Sequence, residues 1–185
     1  MKYVFIDRDG VINRDGAGRT EHSYVTRWED FEFLPGVIPG FKALKEAGYK
    51  TIIISNQKCV GKGIVTTEEL DSLTRKMKDA VEKGGGKVDG VFYCPHLDED
   101  NCDCRKPKTG LLLQAKKMFN IDTFSGKYFI GDSERDIVAG KSVGLKTILV
   151  LSGKSSRKDV PGWVVRPDIV AENFELAVKA VLEGS

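Results

Sequence analysis

With 185 residues, 41% of them hydrophobic and 30% charged, and a formal charge of +2, the chain has an ordinary globular composition. That length favours one domain, 1–185, with a core that needs no disulfide staples. The balanced charge excludes nucleic acid as an expected partner, and no apolar run reaches the length of a signal peptide or a membrane span.

A monomeric, cytoplasmic protein is therefore expected, in which disulfides are rare.

The first apolar run, Tyr3 to Ile6, ends at Asp7. Asp7-Arg8-Asp9-Gly10-Val11 follows it, with one carboxylate at the strand tip and another two residues on. By itself an Asp-x-Asp turn is more often a solvated loop, since Asp favours turns. Residues 14–33 lack periodicity and read as a functional loop; it contains His22, expected near substrate, and Trp28, expected to pack. Val37, Phe41 and Leu44 then mark a helix that stops at Gly48.

A second run, Lys50 to Ile54, leads into Ser55-Asn56. Cys59 follows and reads as a buried, inert thiol. Thr66 and Glu69 fit a capping box for a helix through Leu70, Leu73, Met77 and Val81, ending at Gly84-Gly85-Gly86.

Val88 to Cys94 is the third run. It opens onto Cys94-Pro95-His96 and, five residues later, Cys102-Asp103-Cys104. Three thiols and an imidazole in so short a loop form a closed set of soft ligands, as in a structural Zn²⁺ site. Such a site would fold 94–104 into a rigid lobe, because metal-binding free energy acts as folding free energy. The lobe runs straight into Arg105-Lys106, so its expected task is to aim those two cations.

A helix through Leu112, Ala115 and Phe119 precedes the fourth run, Tyr128 to Ile130, which ends at Gly131-Asp132-Ser133 with Asp136 close behind. A helix over Ile137 to Val143, a fifth run over Thr147 to Leu151 and a last helix from Phe174 to Leu182 complete the chain. Short β-branched runs alternating with amphipathic helices predict an α/β fold: a three-layer, doubly wound parallel sheet. In such sheets ligands sit at the carboxyl ends of the strands, where the polar clusters fall.

Those clusters share a chemistry. A carboxylate can attack phosphorus, and a second can protonate the leaving oxygen and later activate water. The expected nucleophile is Asp7, with Asp9 as general acid and base. Ser55 and Lys106 would stabilise the phosphoryl group. Mg²⁺ suits carboxylates plus phosphate, held by Asp7, Asp9 and Asp132 with Asp136 in support. Substrate contacts are expected from Asn13, Asp15, Asn56, Gln57, Lys58, Arg105 and Ser133.

The ordered set Asp7-Arg8-Asp9-Gly10-Val11, Ser55, Lys106 and Gly131-Asp132 with Asp136 resembles the haloacid dehalogenase superfamily. Asp at position 9 is similar to its phosphatases and mutases. The cysteine loop followed by Arg105-Lys106-Pro107 narrows the likeness to a group containing heptose 1,7-bisphosphate 7-phosphatases and histidinol-phosphate phosphatases. Ser55-Asn56-Gln57, Lys108-Thr109-Gly110 and Ser152-Gly153-Lys154 resemble the heptose enzymes, as does Ser23-Tyr24-Val25 in the long loop. That likeness implies a Mg²⁺-dependent phosphatase for a small phosphorylated metabolite, without a cap domain. Histidinol phosphate is the rival substrate, and a non-catalytic zinc-containing binding module is the rival class. The loop 14–21 and Lys58-Cys59 depart from the heptose-phosphatase pattern.

Overall fold

The computed structural model describes residues 1–184. Six strands and five α-helices alternate, except that the last two strands follow one another with no α-helix between them: β1 Lys2–Ile6, α1 Val37–Glu46, β2 Tyr49–Asn56, α2 Thr67–Lys83, β3 Gly90–Cys94, α3 Gly110–Met118, β4 Tyr128–Gly131, α4 Glu134–Ser142, β5 Lys146–Val150, β6 Ile169–Ala171 and α5 Phe174–Glu183. All strand pairs are parallel, in the order β3-β2-β1-β4-β5-β6.

The two-residue strand period builds the three layers. Val4 and Ile6 of β1 enter one core, with Phe41 of α1, Met77 and Val81 of α2 and Val178 of α5. Tyr3 and Phe5 point the other way, into a second core with Leu111, Leu112 and Ala115 of α3 and Ala139 of α4. The capping box of α2 is formed: the Thr66 hydroxyl accepts from the Glu69 amide at 3.2 Å, and the Thr66 amide donates to Glu69 Oε2 at 2.8 Å.

One strand goes beyond the sequence reading. Three-residue β6 follows Arg166-Pro167-Asp168, a turn-like stretch too polar for a periodic signal, and pairs with β5. The loop 14–33 holds no element except a single 3₁₀ turn at Trp28–Asp30. Trp28 stacks on Phe31 with centroids 5.2 Å apart, so it packs the loop, as expected.

Strand order reverses at β1. Its chain continues to β2 on one side, while β4 lies on the other. The crevice beyond β1, β2 and β4 is therefore a topological switch point, where open α/β sheets bind ligands.

Candidate active site

A cavity of about 470 Å³ opens at this crevice, its walls including Asp7, Asp9, Ser55, Arg105, Lys106 and Lys154. Asp7 continues β1, its amide donating to the Ile130 carbonyl at 2.9 Å. The Asp7 carboxylate thus hangs between the ends of β2 and β4.

Lys106 enters from the opposite wall. Its Nζ lies 2.9 Å from Asp7 Oδ1 and 2.6 Å from Asp136 Oδ1, and donates to the Ile54 carbonyl at 2.8 Å. The Asn56 amide fixes its main chain from both sides, accepting from the Lys106 amide at 3.0 Å and donating to the Lys106 carbonyl at 3.1 Å. Burial would lower the pKa of this ammonium, but Asp136 and Asp7 outweigh it and hold the pKa raised.

Asp7, Asp132 and Asp136 converge, each offering an oxygen within 4.8 Å of the others. Burial and the neighbouring carboxylates push Asp132 well above its ordinary pKa. Burial raises Asp7 too; Lys106 opposes that shift and Asp136 adds to it. Asp132 Oδ2 accepts the Lys154 amide at 2.8 Å, whereas Oδ1 is buried without a partner. Gly10, at φ +81°, and Gly153 let the backbone close on this carboxylate, which a side chain at either position would strike. A buried oxygen left over among hard anionic donors fits a divalent cation such as Mg²⁺.

Asp9 stands apart from that trio. Its carboxylate pairs with Arg8 Nη2 at 3.0 Å and accepts from Asn13 Nδ2 at 2.9 Å and Gln57 Nε2 at 2.7 Å. Burial favours its neutral form, but Arg8 and the two amide donors outweigh burial and lower its pKa. The converging carboxylates are thus Asp7, Asp132 and Asp136, with the expected fourth, Asp9, turned toward Arg8.

The expected substrate contacts divide. Asn56, Lys58, Arg105 and Ser133 line the cavity, beside the expected phosphoryl stabilisers Ser55 and Lys106. Asn13 and Gln57 are not among its lining residues; both are buried and face Asp9. Asp15 reaches the rim only through Lys154, with Nζ 3.4 Å from Asp15 Oδ2. The Ser133 hydroxyl donates to Asp136 Oδ2 at 2.7 Å. His22 lines a neighbouring cavity of about 390 Å³ with Trp28 and Lys76, whose walls include none of Asp7, Asp132 and Asp136. Cys59 is buried and its pKa is raised by burial, as an inert thiol requires.

Cys94, His96, Cys102 and Cys104 also converge. Cys94 Sγ lies 3.2 Å from Cys104 Sγ and 3.6 Å from Cys102 Sγ, and His96 Nδ1 lies 3.2 Å from Cys104 Sγ. A tetrahedron with metal–sulfur bonds of about 2.3 Å has edges of about 3.8 Å, so the cluster is close to the size a bound Zn²⁺ requires. All three cysteines are free thiols, with no disulfide among them. Burial and the neighbouring sulfurs raise the Cys104 thiol, whereas hydrogen bonds outweigh burial at Cys102 and lower it to about 7.

One residue went unmarked in the sequence. Asp98, within the lobe, accepts Arg105 Nε at 2.6 Å and lies 3.3 Å from Lys58 Nζ. It sets both cations in the cavity wall, yet the run Asp98-Glu99-Asp100 reads as an ordinary solvated acidic loop.

Residues 103–177 match the profile of a family described as HAD-hydrolase-like. The chain is similar to D-glycero-beta-D-manno-heptose-1,7-bisphosphate 7-phosphatases. It is 38% identical to that of Haemophilus ducreyi over 83% of this chain and 85% of the relative. It is 37% identical to that of Helicobacter pylori J99 over 88% and 90%. Among solved structures it resembles a D,D-heptose 1,7-bisphosphate phosphatase from B. bronchiseptica complexed with magnesium and phosphate. The TM-score is 0.89 at 30% identity, with both chains fully covered. No helix among the described residues is long and apolar enough to cross a membrane.

Proposed function

We propose that this chain, which belongs to the heptose-1,7-bisphosphate 7-phosphatase family of haloacid dehalogenase-like hydrolases, removes the C7 phosphate of D-glycero-β-D-manno-heptose 1,7-bisphosphate. It does so as a monomeric cytoplasmic enzyme of one domain, 1–185, with Zn²⁺ held by Cys94, His96, Cys102 and Cys104. The observation that carries this reading is the buried Asp7 carboxylate at the cavity floor, facing Lys106 and backed by Asp132 and Asp136.

An Asp7 oxygen attacks phosphorus as the bond to the sugar oxygen breaks, leaving an aspartyl phosphate. Asp9 gives its proton to the departing alkoxide, then takes one from the water that attacks phosphorus, which frees phosphate and Asp7. The arriving dianion opposes the lowered pKa of Asp9, because a like charge nearby favours the protonated carboxyl. Lys106 and the Ser55 hydroxyl face the phosphoryl oxygens and stabilise charge that grows in the transition state. Asp136 keeps Lys106 aimed. Asp7 and Asp132 would hold Mg²⁺, which offsets the repulsion between nucleophile and phosphate and polarises the phosphoryl group. Arg105 and Lys58, steadied by Asp98, suit the distal phosphate of a bisphosphate.

Steady-state phosphate release from heptose bisphosphate and from histidinol phosphate, both with Mg²⁺, is the test. The heptose ester is expected to give the larger kcat/KM. A preference for histidinol phosphate beyond about tenfold, roughly 1.4 kcal/mol of transition-state binding, overturns the assignment.

A further inference from the structure

Arg8 lies between the nucleophile and the acid, and no step above uses it. Its side chain is among the largest fully buried ones, with 1% of the residue's surface exposed. A guanidinium is rarely buried so deeply unless its contacts demand it. A single nitrogen, Nη2, donates to Asp9 Oδ1 at 3.0 Å and to the Val25 carbonyl at 3.2 Å. The guanidinium sits 5.8 Å from the centroid of the Tyr93 ring, and the Tyr93 hydroxyl accepts from Thr74 Oγ1 at 3.1 Å. Tyr93 is on β3 and Thr74 on α2, so the platform beneath Arg8 belongs to the rigid sheet and helix layers.

The two contacts join different parts of the site. Asp9 is the acid. Val25 is buried in the loop that carries Tyr24, and Tyr24 lines the cavity. Resting on the phosphatase reading above, we propose that Arg8 is a positioning residue that ties the orientation of the acid to the seating of the 13–27 loop. A loop drawn down at Val25 and an acid turned toward the leaving oxygen are then one arrangement rather than two. Its guanidinium carbon lies 5.8 Å from the Tyr93 ring centroid, and its planar fork presents Nη2 to both acceptors. A lysine ammonium has no such plane.

The test separates protonation of the leaving group from general loss of fold. Arg8→Lys and Arg8→Met are compared with the unaltered chain in single turnovers of heptose bisphosphate and of p-nitrophenyl phosphate. p-Nitrophenolate departs without a proton, whereas a sugar alkoxide needs one. The substitutions are expected to slow release of the sugar at least about tenfold more than release of p-nitrophenol, within the range a general acid supplies. A second arm uses Asp9→Asn. Should Arg8→Met fail to fold because the half-buried Asp9 is left without its cation, Asp9→Asn/Arg8→Met removes both charges together. If Arg8 acts through Asp9, that double variant is no slower on the sugar ester than Asp9→Asn alone.

Equal slowing of both esters, or a further loss on the Asp9→Asn background, overturns the inference while leaving the phosphatase reading intact. An unaltered chain that releases phosphate from neither ester overturns both.

Discussion

Lys106→Met puts the electrostatics of the site under direct strain. The lysine is 3% exposed and has two carboxylate partners, at 2.6 and 2.9 Å. At an effective dielectric of about 20, each contact represents about 6 kcal/mol of gross attraction. Desolvation of the three charges offsets much of that, and removing one member of such a buried set costs about 3–5 kcal/mol. For a chain of this size the melting temperature should fall by about 6–20 °C. The loss should be largest in EDTA, where no divalent cation replaces the ammonium. It should also depend on pH in a defined direction. Burial and neighbouring carboxylates raise the pKa of Asp132 and Asp7 above the unfolded value even with Lys106 in place. A raised carboxylate pKa means the folded state holds protons that the unfolded state has released, so stability falls as pH climbs past the ordinary Asp range. Without Lys106 the repulsion grows, and mild acid should recover part of the lost melting temperature. Activity should drop about 10²–10³-fold, the size seen when one preorganised stabiliser is lost. Thermal melts at several pH values, with EDTA or Mg²⁺, and steady-state kinetics are the assays. A variant that melts at the unaltered temperature in EDTA at neutral pH would refute the reasoning.

Other expectations follow from the same geometry. Asp132→Asn should raise the melting temperature of metal-free protein at neutral pH, because it removes a repelled charge, and should lower kcat at least about 100-fold. Mg²⁺ at a concentration about 100 times its Kd at pH 8 should stabilise the unaltered chain by about 2.7 kcal/mol there and by less at pH 5, because protons compete for the carboxylates, and Asp132→Asn should abolish most of that gain. Cys102→Ser should lose zinc by metal analysis and lower the melting temperature. Asp98→Ala should raise KM for the bisphosphate several-fold with little change in kcat, since it frees Arg105 and Lys58 without touching Asp7; a fall in kcat with KM unchanged would contradict its assigned place.

The layers were legible because their causes are local. β1 alternates Tyr3 and Phe5 against Val4 and Ile6, and α2 carries its own capping box. Five of the six strands follow from such runs, whereas β6 is too short and too closely preceded by Pro167 to leave a period. Asp7, Ser55 and Asp132 could be placed because each follows an apolar run and strand ends converge in a doubly wound sheet, and Lys106 because it lies between the second and fourth runs at the exit of the cysteine loop. The orientation of a side chain is a different matter. Asn13 and Gln57 sit where substrate contacts would be sought, yet both donate their amides to Asp9. Asp98 and Arg8 gain their places from partners 7 and 17 residues away, and such pairings have no signature in spacing.

The double hydrogen bond from Asn56 to the main chain of Lys106 divides the labour of the cysteine lobe. Zinc was expected to aim both cations at the lobe's exit. Lys106 is instead indexed to the end of β2, through Asn56 and the Ile54 carbonyl, so the sheet sets its height. Only Arg105 is referred back to the lobe, through Asp98 and the His96 carbonyl. Selection and chemistry therefore hang from separate supports. Insertions or deletions within 97–101 can redraw what the pocket accepts while the apparatus that breaks the ester keeps its register, which makes this loop a natural place for one scaffold to change its diet.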